Sequence, residues 1–154
     1  LQSTSEFASA VLSLIFGVGG FLLLWQGILY LTSLAGGWNK LSKLYTFKNE
    51  NISPIKVKSF QSAQFSWVNY HSSLKFLFYR EGLGIKVFPL FRFKHPNLLI
   101  PWKDIYLKEK SKSIFTWNQL EIGKPVITTL SINKSNLEEI LPYLNKSNSS
   151  FDNW

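Results

Sequence analysis

FASAVLSLIFGVGGFLLLWQGILYLTSL, running from Phe7 to Leu34, is the stretch on which the reading of the whole chain turns. From Phe7 to Asn39 no side chain carries a formal charge, and Glu6 and Lys40 bracket that run. Its polar content is a few Ser and Thr, Gln26 and the Tyr30 hydroxyl. About 20 apolar residues carry a helix across the ~30 Å hydrocarbon layer of a bilayer; this stretch is longer, which predicts tilt or an interfacial extension. A lone segment in lipid must satisfy its own backbone N–H and C=O groups, so the predicted form is a helix. The core helix of a soluble protein seldom reaches this length. A cleavable signal peptide fits less well, because its apolar region runs to about 7–15 residues behind a basic flank, and Leu1–Glu6 contains no base.

The flanks orient the span. No Lys or Arg precedes it, whereas Lys40, Lys43, Lys48, Lys56 and Lys58 follow. The positive-inside rule then puts the C-terminal body on the cytoplasmic side of a bacterial-type plasma membrane or an internal, thylakoid-like one. Tyr30 and Trp38 are candidates for the aromatic belt at the exit. Gly17, Gly20 and Gly27 share one helix face by their spacing, and small residues let a second helix approach closely in lipid. Two readings stand for them: a helix-packing face, or the ordinary abundance of glycine in membrane helices. Gln26 offers an amide to a neighbour or to the interface.

Beyond Gly36-Gly37 the pattern changes. Trp38, Leu41 and Leu44–Tyr45 recur at helical spacing and predict a short juxtamembrane helix, followed by a loop over Lys48–Pro54. From Ile55 the chain breaks into short β-prone runs. Phe65–Tyr70 and Leu74–Tyr79 are separated by the polar His71–Ser73. The glycines of Arg80–Gly84 are expected to turn the chain into Ile85–Phe88. Leu98–Ile105, Ile114–Trp117, Leu120–Ile122 and Val126–Ile132 complete the set. Spacing of about ten residues predicts an antiparallel barrel or sandwich. Asn133 or Ser135 is placed to cap a helix over Ser135–Leu144, with Leu137, Ile140, Leu141 and Leu144 as its apolar stripe and Pro142 expected to bend or interrupt it. The expected organisation is a flank at 1–6, a transmembrane helix at 7–34, a juxtamembrane helix and linker at 35–54, a β-rich domain at 55–145 and a polar tail at 146–154. The fold class is membrane-anchored α+β.

Composition bounds the chemistry. In 154 residues there is no cysteine, which excludes disulfides, zinc ribbons, thiolate-held clusters and a cysteine nucleophile. There is no methionine either, so residues upstream of Leu1 are expected. With 45% hydrophobic and 17% charged residues the chain is too apolar for disorder. His71 and His95 stand 24 positions apart without a carboxylate cluster. No G-x-S-x-G, P-loop or Rossmann pattern occurs. The sequence therefore offers no catalytic, metal-binding or cofactor-binding set, no cofactor and no small-molecule substrate, and an enzyme is not the expected reading. The chain carries a net charge of +8, and all 17 Lys and Arg, with every acid except Glu6, follow Trp38. Such a balance favours anionic neighbours. Arginine occurs only at Arg80 and Arg92, and lysine suits diffuse attraction to lipid headgroups better than bidentate reading of nucleic acid, which is disfavoured as a partner.

The segment GLGIKVFPLFRFKHPNLLIPWKDI, Gly82–Ile105, resembles part of a group of uncharacterised single-span bacterial membrane proteins with a small cytoplasmic domain. Gly82, Leu83, Arg92, His95, Pro96, Ile100, Pro101, Trp102 and Ile105 carry the match, and GGWNKLSKLY at Gly36–Tyr45 resembles their entry into the soluble part. Asn97 stands where that pattern has a second proline. The resemblance implies a pleckstrin-homology-like barrel with a C-terminal helix, and no activity.

Read on its residues alone, Phe88–Asn97 is an aromatic and basic loop. Phe91, Arg92, Phe93, Lys94 and His95, with Lys108 and, in the basic Glu109–Ser113 stretch after it, Lys110 and Lys112, form a candidate interaction surface. The rings either meet an anionic membrane surface or fill the barrel while the bases are solvated. The expectation drawn from all of this is a non-catalytic accessory protein, a structural or assembly subunit that packs against other membrane protein subunits and lipid. The alternatives are an autonomous anionic-lipid-binding module and a tethered enzyme of unrecognised type.

Overall fold

The computed structural model describes residues 2–48, 51–109 and 117–149. The apolar run forms one uninterrupted helix, α1 (Gln2–Ala35), long and apolar enough to cross a membrane. Gly36 and Gly37 break it, and α2 (Trp38–Tyr45) follows at once. Gly37 has a left-handed backbone (φ 75°), and a Cβ there would stand 3.2 Å from that of Thr128, so both conformation and space call for glycine.

The β domain is a seven-stranded antiparallel sheet in the order β4-β3-β2-β1-β7-β6-β5. Its strands are β1 (Lys56–Phe65), β2 (Val68–Phe78), β3 (Gly82–Val87), β4 (Leu98–Pro101), β5 (Ile105–Glu109), β6 (Asn118–Ile122) and β7 (Thr128–Ile132). The two edge strands, β4 and β5, are consecutive in the chain and joined by a single 3-10 turn at Trp102–Asp104, so the sheet curls into a nearly closed barrel. Alternation fills the inside: Asn118, Leu120 and Ile122 of β6 and Thr128, Leu130 and Ile132 of β7 are buried. Phe65, Phe76, Phe78, Leu83, Ile85, Leu98 and Ile100 complete the core. A second, smaller cluster of Phe47, Leu77 and Tyr79, with Leu99 against it, covers the outer face of β2 and β3.

Helix α3 (Lys134–Ser149) closes one end. Of the two candidate caps, Asn133 does the work: its Oδ1 accepts the Asn136 N–H at 2.8 Å. Leu137, Ile140 and Leu144 enter the core, and Tyr143 stacks on Trp102 with centroids 4.5 Å apart and planes at 15°. Lys56 of β1 donates to both carboxylate oxygens of Glu139 at 2.6 Å, which holds that carboxyl below its usual range. At half-exposed side chains such a pair contributes little beyond alignment.

Several boundaries differ from the sequence reading. Phe65–Tyr70 is not one strand but a hairpin: β1 ends at Phe65, Ser66-Trp67 turn the chain, and β2 begins at Val68. Ser66 takes the positive φ (52°) that two-residue hairpins require. His71–Ser73 lies inside β2, where the pairing with β1 slips and Phe60 (φ 54°) and Ser72 (φ 48°) are left-handed. Gly82 and Gly84 are in β3 rather than a turn; a Cβ on Gly82 would stand 2.2 Å from the Ile100 carbonyl oxygen, so β4 crosses too close for a side chain. Leu98–Ile105 is broken at Trp102. Pro142 does not interrupt α3, which continues to Ser149 and so into the expected polar tail. Of the expected strand Ile114–Trp117, residues 114–116 lie outside the described residues, and Trp117 is irregular.

Trp102 is buried, and its indole N–H donates to the Tyr79 carbonyl at 2.9 Å. Trp102→Ala is expected to lower the free energy of unfolding by about 3–5 kcal/mol. A double-mutant cycle with Tyr143→Ala in detergent denaturation should return a coupling of about 0.5–1.5 kcal/mol for the stacked pair. Additive losses would show that the stack carries no coupling of its own.

Candidate functional site at the helix–domain junction

The last turns of α1 do not stand clear of the domain. Trp25, Leu29, Thr32, Ser33 and Gly36 recur at intervals of three and four and form one stripe that is half-buried or buried. From Ser3 to Leu24, by contrast, every residue but Gly19 is exposed. The stripe packs on the start of β2 and on the loop Phe88–Asn97, with a groove of about 230 Å³ beside Trp25, Ile28, Asn69 and His71.

Specific bonds fix this contact. Ser33 Oγ donates to the Lys94 carbonyl at 2.8 Å, although Ser33 ends an almost wholly apolar run. Lys94 presents that carbonyl from a left-handed backbone (φ 58°). The Trp25 ring lies 5.6 Å from that of Phe91. At the break, Thr128 Oγ1 donates to the Gly36 carbonyl at 3.1 Å, satisfying one of the acceptors that a helix end leaves open. The Gln26 side-chain oxygen, read as offered to a neighbour or to the interface, has no partner among the described residues.

Trp38 is the centre of the junction. It is fully buried, its indole N–H donates to the Pro96 carbonyl at 3.0 Å, and its ring meets Phe65, Tyr70 and His95 at 5.0, 5.6 and 5.1 Å. It is thus a core residue and not part of an aromatic belt. Tyr45, at the end of α2, donates its hydroxyl to Asp104 at 3.1 Å; burial, then the carboxylate beside it, pushes its pKa up to about 12.

His95, expected on the interaction surface, is 1% exposed and belongs to the interior. Nδ1 lies 2.8 Å from the Phe93 carbonyl and Nε2 lies 2.8 Å from the Tyr70 hydroxyl. A carbonyl only accepts, so Nδ1 carries the proton and Nε2 accepts from Tyr70. The neutral ring satisfies both partners, and burial lowers its pKa against the opposing pull of the Phe93 carbonyl. Burial likewise raises that of Tyr70.

The other expected surface residues divide. Arg92, Phe93 and Lys94 are exposed, and Phe91 is half-buried against α1. Lys108 is on β5, 3.2 Å from Glu121 of β6, and Lys110 and Lys112 lie outside the described residues. At Gly17, Gly20 and Gly27 a Cβ would meet no atom within 4 Å. Among the described residues no three His, Asp or Glu side chains come together as metal ligands. Sequence reasoning missed Trp25, Ser33 and Tyr70 as junction residues; the signal available was a serine spaced eight from a tryptophan on one face of an otherwise apolar helix. Comparison with protein-family models, curated proteins and solved structures finds no match for this chain.

The pH dependence of stability follows from the sign of the His95 shift. With the folded-state pKa lowered, the unfolded chain binds a proton below about pH 6.5 that the folded chain resists. Stability present above that pH is expected to fall between pH 7 and 5, by at most about 1.4 kcal/mol per unit from this group. Denaturation midpoints across that range should show the slope in the native chain and a flatter profile in His95→Gln. An unchanged slope in the variant would assign the effect elsewhere.

Proposed function

We propose that this chain is a non-catalytic, single-pass membrane accessory protein, a structural or assembly subunit whose β domain is held at the bilayer face by its own anchor. The observation that carries the reading is the division of α1 into two parts. Phe7–Leu24 extends about 27 Å at 1.5 Å per residue, close to the ~30 Å hydrocarbon thickness, and is uncovered all round. From Trp25 onward the same helix is bonded to the domain. In this reading lipid takes Phe7–Leu24, Glu6 lies at one interface, and Trp25 and Tyr30 lie near the other. Lys40, Lys43 and Lys48 support a cytoplasmic domain.

The antiparallel, nearly closed barrel with a helix over one end supports the pleckstrin-homology-like reading that the resemblance of Gly82–Ile105 implies. Partner subunits are proposed to meet α1 along Gly17, Gly20 and Gly27, where among the described residues nothing occupies the space beside the helix.

Mild-detergent extraction of the full chain from native membranes tests the proposal. It should elute in a high-mass assembly with a second membrane protein in fixed ratio. Gly20→Leu should reduce that co-elution at least about tenfold, a loss of roughly 1.4 kcal/mol in association, while leaving the chain's own unfolding midpoint unchanged. A monodisperse lone chain before and after the substitution would refute the accessory role.

A further inference from the structure

Phe60, Phe88, Leu90 and Phe93 stand out from the domain with 68%, 50%, 66% and 42% of their surface exposed. The rings of Phe60 and Phe88 meet at 6.2 Å although they come from β1 and the loop after β3. Phe60 is held in left-handed backbone at the irregularity between Lys58 and Gln61, a conformation unfavourable for any residue with a Cβ. Core packing does not account for it, because the ring it carries is largely in solvent. A strained position that displays an aromatic ring beside a second one points to a contact made outside the chain.

Two features say what that contact is. The first is place. Leu90 adjoins Phe91, whose ring lies on Trp25, and Trp25 is where the uncovered apolar surface of α1 gives way to the docked stripe. The exposed rings therefore flank the point at which the anchor leaves the domain. The second is charge. Lys75 and Lys86 face each other in register on β2 and β3, and Arg92 and Lys94 follow in the loop. Beside Phe60 and Phe88 runs an open groove of about 420 Å³ whose lining includes Ser59, Ser72, Lys75 and Lys86. Hydroxyls and ammonium groups next to apolar rings match a phosphate headgroup and the start of its acyl chains.

We propose that this edge of the domain enters the headgroup layer of the anionic bilayer that holds α1, with Phe60, Phe88, Leu90 and Phe93 at the acyl boundary and Lys75, Arg92 and Lys94 at lipid phosphates. The inference rests on Phe7–Leu24 being the span and adds which edge of the domain meets lipid.

The chain has no cysteine, so single labels can be placed without a background. Leu90→Cys and Phe93→Cys carry an environment-sensitive NBD label at exposed positions in the full chain, reconstituted into phosphatidylcholine vesicles with and without phosphatidylglycerol. Val11→Cys reports the span. Glu138→Cys on α3 is the control, because α3 lies by Arg80 at the opposite end of the β2–β3 hairpin from Phe88. Emission at positions 90 and 93 is expected to exceed that at 138 by about threefold, to rise with phosphatidylglycerol and to be quenched by shallow doxyl lipids. Labels at 90 and 93 that behave like 138, while Val11 is quenched by deep doxyl lipids, would overturn the inference and leave the span standing. A Val11 label untouched by any doxyl lipid would overturn the span and the inference together. Equal emission at 90 and 93 with and without phosphatidylglycerol would overturn the role given to Lys75, Arg92 and Lys94.

Discussion

The burial of Trp38 immediately after a two-glycine break is the constraint from which the rest of the architecture follows. A fully buried tryptophan removes about 150–250 Å² from water, worth about 4–6 kcal/mol by area before chain entropy is counted. One side chain here joins α2 to β1 through Phe65, to β2 through Tyr70 and to the loop through His95 and the Pro96 carbonyl. Gly37 makes the insertion sterically allowed, since a Cβ there would press on Thr128 and its φ of 75° suits only glycine well. The helix thus enters the domain through a fixed corner, and the Gly36 carbonyl and Ser33 hydroxyl are bonded on either side of it.

The corner also determines which part of the loop Phe88–Asn97 is inside. His95 and Asn97 are drawn in beneath α1 and α2, and the Asn97 carbonyl accepts the Phe47 N–H at 2.9 Å. Phe91 turns toward Trp25, while Arg92, Phe93 and Lys94 are left outside. Neighbouring residues of one loop thus differ in burial: His95 is inside, Phe91 is half-buried against Trp25, and Phe93 is exposed. Neutral His95 suits its position because both ring nitrogens have partners of the right polarity, so the buried network is closed on itself.

Most of the secondary structure was legible because each element had a local cause. The uncharged run, the helical spacing of Trp38, Leu41 and Tyr45, and the asparagine before α3 each carry their own signal. What misled was punctuation. Ser66-Trp67 lacks the glycine or asparagine that marks a hairpin, and the polar His71–Ser73 looks like a turn while lying in a strand with a bulge. Gly82 and Gly84 look like turn residues, but they are glycine because β4 and Tyr79 pass too close for a side chain, a cause that only tertiary structure reveals. Pro142 is tolerated in α3, whose apolar stripe is clamped into the core on both sides of it. The junction was the least legible part, since Trp25, Ser33 and His95 become neighbours only through contacts across some sixty residues of sequence, as between Ser33 and Lys94.

The proposed span offers an account of the surplus length of the apolar run besides tilt or an interfacial extension. On the proposed span, Phe7–Leu24 already matches the hydrocarbon layer, and the remaining residues to Ala35 would be too many for an upright helix. Tilt would bring them into lipid, and Ser33 with them, away from the Lys94 carbonyl. Docking instead gives Ser33 a carbonyl to bond and covers Leu29 with protein. Both arrangements remove apolar surface from water, so hydrophobicity alone does not choose between them; the hydrogen bonds at Ser33 and Gly36 do. Because the docked face includes Phe91 and the Lys94 carbonyl, the same contacts also tie the loop that carries Leu90 and Phe93 to α1.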